Sequence, residues 1–341
     1  MMKHNLSPVE IPIAFLFLGL QRMRQLAATF RKSLWTCGIL AILLPSISGS
    51  ATAQSLTVLQ LLVGNLFGGN NVLSYDGTTG SFLGIFATGG GLSDPEGLAV
   101  GRDGNLYVSS FVTNQVLRYN GATGAFIDVF VPANSGGLSG PEGLVFGPDR
   151  NLYVASWSTN SVLRYDGSTG TFLGTFASGG GLVNPFGIVF GPDANLYVAG
   201  SHSSNVLRYN GVTGMFMDVF VPPGSGGLLS PGALTFGPDR NLYLTNNQLS
   251  GEQPSSVLRY NGISGAFIDT FVGVGSGGLN AGRGLVFGPD RNLYVSSFRS
   301  NQVLRYNGTN GAFIDAFVPA GSGGLNGPRF LIFAPRIVVL P

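Results

Sequence analysis

Lysine is absent from this chain after residue 32, cysteine occurs once, and beyond residue 53 there is one histidine, His202. Each absence excludes something. Residues 54–341 carry 13 arginines against 15 acids, a net charge of −2, so there is no basic footprint for nucleic acid. The lone Cys37 lies in the N-terminal leader, which leaves the rest without disulfide or thiol chemistry. A core of this size needs no disulfide. Charged residues make up 10% of the chain, well below the usual quarter or so. No segment shows the 3.6-residue periodicity of an amphipathic helix, which excludes helical repeats.

A repeated phrase stands where those features are missing. VLRY recurs at Val116–Tyr119, Val162–Tyr165, Val206–Tyr209, Val257–Tyr260 and Val303–Tyr306, preceded by VLSY at Val72–Tyr75. The spacings are 44, 46, 44, 51 and 46 residues, a period that marks a solenoid, propeller or array. Each copy holds four short apolar runs. In the third they are Gly143–Phe146, Leu152–Ser156, Val162–Tyr165 and Thr171–Ala177, separated by turns such as GPDRN and DGSTG. Four strands per unit is a propeller blade. Blades pack face to face, which accounts for the low charge.

Naming the strands A to D from the channel outward, A is marked by Leu98, Leu144, Ile188, Leu234, Leu285 and Leu331. The first D precedes the first A, and the last A follows the last D. This predicts an all-β, six-bladed propeller of four-stranded antiparallel blades, closed by a C-terminal strand joining the N-terminal blade. Leu56–Val63 and Ile337–Leu340 compete as the second strand of that closing blade.

Residues 1–53 stand outside the repeat. Leu34–Ile47 is an apolar run of 14 residues behind Arg31 and Lys32, followed by Ala51 and Ala53 before Gln54. This predicts a signal peptide cleaved after Ala53, and a secreted or periplasmic protein with no membrane attachment after cleavage. An uncleaved anchor is the alternative, although the run is short for a span. Met23 is the better start, so residues 1–22 read as an extension.

The phrase P-x-G-L-x-F-G-P-D-x-N-L-Y-V, followed by N-x-V-L-R-Y, resembles NHL-type repeats. It is also similar to the propellers of the streptogramin lyase and gluconolactonase-like groups, over Leu56 to Leu340. The resemblance implies a six-bladed propeller, used most often for binding or scaffolding. The lyases imply a catalytic histidine and a magnesium site on seven blades; here His202 is the one histidine on offer, on six. The lactonases imply a metal held by a Glu near a first strand, which Glu96 and Glu142 match, with no further ligand selected by spacing.

Positions that repeat in every blade read as structural. The Asp of GPD (Asp149, Asp193, Asp239, Asp290) is expected to cap a turn. Arg118 is expected opposite Phe126 and diagonal to Asp128, with a cross-strand ion pair in copies two, four, five and six. Copy one has Ser74 and Gly84 instead, and copy three sets Arg164 against Gly174.

Function is expected where the copies disagree. The residue after the first position of strand A, proline in five copies and Gly282 in the other, is Glu96, Glu142, Phe186, Gly232, Arg283 or Arg329. This ring is either an internal salt-bridge closure or a mouth for an ion or zwitterion. The loop between strands B and C carries Leu66, Phe111, Trp157, Ser201, Asn247 and Phe298, with His202 and Arg299 one residue later. Its aromatics either cover blade junctions or form a platform. The chain is read as a non-catalytic binding module for a small molecule, glycan or protein, monomeric, without cofactor, metal or catalytic residue. The alternatives are a lyase or lactonase at the channel mouth, and a cell-surface structural component.

Overall fold

The computed structural model describes residues 55–247 and 254–339. The expected leader and its cleavage site lie outside the described residues. Valine, leucine, tyrosine and phenylalanine at alternating positions, broken by Gly, Asp and Asn turns, build six antiparallel sheets of four strands each. Blade 2 comprises Pro95–Val100, Leu106–Ser110, Gln115–Tyr119 and Phe126–Val131 as strands A to D. Blades 3 to 6 repeat this order, with strands A at Pro141–Phe146, Pro185–Phe190, Ser230–Phe236 and Gly282–Phe287. The six A strands touch one another in a closed cycle around the channel.

Blade 1 is assembled from both ends of the described chain. Its strand A is Pro328–Val339 and its strand B is Ser55–Asn65, followed by Asn71–Asp76 and Phe82–Ala87. Leu61 pairs with Phe333 and Val63 with Leu331. The competition for strand B therefore falls to Leu56–Val63, while Ile337–Val339 extends strand A along Ser55–Thr57. Leu61, Val63, Leu73 and Leu331 pack with Tyr294 and Val303 of blade 6, which seals the ring. Closure removes the two edges that an open ring would expose.

Apolar layers between successive blades form the core, one set per junction. Between blades 3 and 4, for example, Tyr153, Val162 and Ala177 meet Ile188, Leu196 and Leu207. The tyrosine of each VLRY is buried and donates to a loop carbonyl at the entrance to its own blade, as Tyr165 does to Ser135 and Tyr209 to Gly179. The GPD turns behave as the repeat implied. Asp149 accepts the Asn151 backbone N–H and side-chain amide, and the Tyr153 hydroxyl.

One register differs from expectation. Arg118 lies directly opposite Asp128, and Tyr119 faces Phe126. A one-residue bulge between Arg118 and Tyr119 restores the alignment that a simple hairpin count from the turn misses. The ion pairs form in copies two, four, five and six, between Arg118–Asp128, Arg208–Asp218, Arg259–Asp269 and Arg305–Asp315.

Candidate functional site: the mouth of the channel

Every strand A begins with an irregularity at the residue the repeats do not share. The A–B register slips between Pro95 and Leu98, Pro141 and Leu144, Pro185 and Ile188, Pro231 and Leu234, and Gly282 and Leu285. In blade 1 the slip lies opposite Val63 and Asn65, between Pro328 and Leu331. Glu96, Glu142, Phe186, Gly232, Arg283 and Arg329 therefore sit in bulges, which free them from the ladder and turn them to the channel. The next residue is glycine in four blades because the A strands converge there. A Cβ on Gly143 would stand 2.6 Å from the Phe186 carbonyl oxygen of the neighbouring blade.

The B–C loops rise over this ring. Phe111 donates its backbone N–H to Asp94, Trp157 to Gly140 and Ser201 to Asn184, so each loop is tied to the entry of its own strand A. Left-handed asparagines then clamp one blade to the next. Asn70 Oδ1 accepts from the Asp94 N–H at 2.9 Å, Asn114 from Gly140 at 2.7 Å and Asn301 from Gly327 at 2.8 Å. Asparagine tolerates this conformation better than other side chains.

Together these elements enclose a cavity of about 340 Å³ at one end of the channel. Its lining includes Glu96, Glu142, Phe186, Arg283 and Arg329 from the ring and Phe111, Trp157 and His202 from the loops. Trp157 stands at the middle of an aromatic arc, 6.2 Å from Phe111 and 5.8 Å from the His202 ring, both edge-on. His202 is exposed, with Nδ1 3.2 Å from the Ser201 hydroxyl. Phe298 is not on the rim. It is 8% exposed, and the guanidinium groups of Arg283, Arg299 and Arg329 lie 5.2, 5.7 and 4.8 Å from its ring centre. Arg299 is exposed and outside the cavity lining.

Around the ring the charged residues are consecutive, in the order Arg283, Arg329, Glu96, Glu142. Arg329 is ion-paired through both terminal nitrogens, while its Nε, like that of Arg283, has no hydrogen-bond partner among the described residues. It contacts Glu96 Oε1 at 2.9 Å and Asp94 Oδ1 at 3.0 Å. Burial, more than the neighbouring Asp94, raises the Glu96 carboxyl to about 7, although Arg329 opposes the rise. Burial and then the adjacent Glu96 push Glu142 well above the usual carboxyl range. Both acids thus bind protons more tightly than isolated carboxylates do. Among the described residues no carboxylate lies within ion-pair distance of Arg283, and its buried Nε has no hydrogen-bond partner.

The carboxyls that match the lactonase pattern do not fit a divalent cation. Arg329 occupies the space between Asp94 and Glu96, and among the described residues no group of three His, Cys, Asp or Glu side chains has metal-holding geometry.

Three contributors escaped the sequence reading. Asp94 is one residue upstream of the proline, at another position where the copies differ. Phe67 in the first B–C loop is 64% exposed and lies 5.7 Å from Phe298. Phe330 breaks a column otherwise filled by Gly97, Gly143, Gly187, Ala233 and Gly284, a signal that was readable.

No protein-family model matches the sequence, and no curated protein is similar to it at a significant level. Solved structures are similar in fold. A chain of the nidogen/laminin complex matches with a TM-score of 0.63 and 17% identity, covering 81% of this chain and 98% of that one. A catalytically inactive histidine-to-alanine variant of virginiamycin B lyase from Staphylococcus aureus, solved with quinupristin, matches at 0.54 with 15% identity, covering 83% and 100%. A protein of unknown function from Bacteroides caccae matches at 0.60 with 13% identity, covering 81% and 99%. In fold the chain is an NHL- and streptogramin-lyase-like six-bladed β-propeller.

Proposed function

We propose that this protein is an exported, non-catalytic binding module that takes its ligand at the channel mouth. The observation that carries this reading is the aromatic arc of Phe111, Trp157 and His202 over a cavity whose floor is polar and buried. A concave pocket that sets aromatic walls against convergent polar groups is a usual form of a small-molecule site. The acids of the floor are shifted upward by burial, and Glu96 is tied to Arg329, an arrangement suited to holding shape. Nidogen, named in one similar structure, is there in complex with laminin, which favours binding as a use of this fold.

Trp157 tests the proposal. The other tryptophan, Trp35, falls in the expected leader, so intrinsic fluorescence of the processed protein reports the mouth alone. A ligand found by library screening should shift that emission. Trp157→Ala should weaken its binding by a factor of about 5 or more in calorimetry. Undiminished affinity in a folded variant places the site elsewhere. Mass spectrometry of exported protein should find Gln54 at or near the N-terminus; a retained Leu34–Ile47 segment in a membrane fraction overturns export as a soluble protein.

A second reading, a lyase or lactonase, draws support from His202, the single histidine beyond the leader, which lines the same mouth. A turnover abolished by His202→Ala, with Trp157 emission and folding intact, replaces the binding module with the enzyme.

A further inference from the structure

Arg283 is the one cation of the mouth that the protein leaves without a partner among the described residues. Its neighbour Arg329 holds Asp94 and Glu96 within 3.0 Å. Among the described residues Arg283 holds no acid. Two aromatic rings fix its guanidinium instead, Phe186 at 5.5 Å and Phe298 at 5.2 Å from their centres. These faces orient a cation without neutralising it. Beside it, blade 5 contributes Gly232 to the ring, so the cavity continues over Ser230 and Pro231 where a side chain would otherwise stand.

A positive ligand group is poorly served here. Asp94 and Glu96 are taken by Arg329, and freeing either leaves a buried guanidinium uncompensated. Glu142, across the ring from Arg283, has its carboxyl pushed well above the usual range by burial and then by Glu96, which disfavours a negative charge there and weakens both its pull on a cation and its repulsion of an anion.

We infer that the mouth selects a small monoanion, a carboxylate above all, set on Arg283 with a flat apolar body against Trp157 and Phe111. The inference rests on the mouth being a binding site and adds the chemical class of what it binds. The carboxylate would satisfy the orphaned guanidinium bidentately, the geometry arginine favours. The cavity of about 340 Å³ is at the small end of ligand pockets and suits a compact acid.

An isosteric series tests it: 3-phenylpropanoate, 3-phenylpropanamide and 3-phenylpropylammonium, titrated into the purified protein at neutral pH by calorimetry and Trp157 emission. The carboxylate should bind about 10-fold or more tighter than the amide, with the ammonium weakest. Arg283→Gln should reduce the carboxylate to the level of the amide, and Arg283→Lys should retain part of the preference. Should Arg283→Gln fail to fold, the ranking on the unaltered protein and the lysine variant still decide. Amide or ammonium binding as tightly as the acid overturns the inference. So does an unchanged preference in Arg283→Gln, or no binding of any member at about 10 mM. Equal binding of all three that Trp157→Ala weakens removes the charge selection and leaves the mouth as a site. Binding that Trp157→Ala does not touch removes both.

Discussion

Phe186 and Phe330 come from blades on opposite sides of the ring, and their rings stack across the channel with centres 5.4 Å apart and planes 21° from parallel. The mouth is therefore a blind cup and not the entrance to a pore. Phe330 fills the axis because its own column is small in every other blade. Phe330→Gly, which restores the residue found there in four blades, should lower stability by roughly 1–3 kcal/mol in urea unfolding, less than a fully buried phenylalanine would. It should also deepen the cup, seen as a larger ligand tolerance. An unchanged unfolding midpoint would mean that the stack contributes no packing.

Buried acids make stability depend on pH in an unusual direction. Glu96 and Glu142 bind protons more tightly when folded, Glu96 at about 7 against 4.5 unperturbed and Glu142 also raised. Their contribution is complete below about pH 4.5 and is lost as pH rises through 7 and beyond. Asp76, Asp103, Asp166 and Asp193 are shifted down, so their contribution is lost only in acid, below the window that matters here. The melting temperature should fall by on the order of 3 °C or more between pH 5 and pH 8. Glu142→Gln, which fixes the neutral form, should flatten that fall. A melting temperature that rises over the window contradicts the upward shift of the two acids.

The outer ion pairs offer a comparison inside one molecule. Arg208 grips Asp218 through Nε at 3.2 Å and lies 5.1 Å above the Phe220 ring. Arg164 lies over Phe176 at 5.5 Å but faces Gly174. Arg208→Ala should cost about 1 kcal/mol, and Arg164→Ala roughly half of that, because the carboxylates are partly exposed and screened. Equal losses in the two variants, read by chemical unfolding, would assign the stabilisation to the ring contact alone.

Removing residues 328–341 should leave blade 1 without its inner strand and expose Leu61, Leu62 and Val63, all buried in the intact ring. Gel filtration should show aggregates or no soluble protein. A truncated chain that stays monomeric with an unchanged melting temperature would show that closure is dispensable.

The ring was legible in the sequence because six copies of one phrase carry the same four strands and the same turns. The end-to-end closure was legible because strands A and D are out of step by one. Bulges were not, since a single unpaired residue leaves the apolar pattern intact; that is why Arg118 was placed opposite Phe126 rather than Asp128. The mouth was half legible. Divergent positions marked Glu96, Glu142, Arg283 and Arg329, and the loops marked Trp157 and Phe111. Which charges cancel depends on ring order and on Asp94, a neighbour in space that the period does not single out. Phe298, read as a rim residue, is drawn inward because three arginines use its face.

The clasp between Ser55–Asn65 and Pro328–Val339 also has a consequence in time. Five blades can be finished in the order in which they are synthesised, each from contiguous sequence. The first hairpin to emerge must wait, with its inner flank bare, until more than two hundred further residues have been made. Contacts this distant in the chain are slow to form, and unsatisfied strands are sticky meanwhile. Yield from the ribosome or from refolding should therefore be set by how well that early hairpin is kept from other chains, and not by the stability of the finished ring.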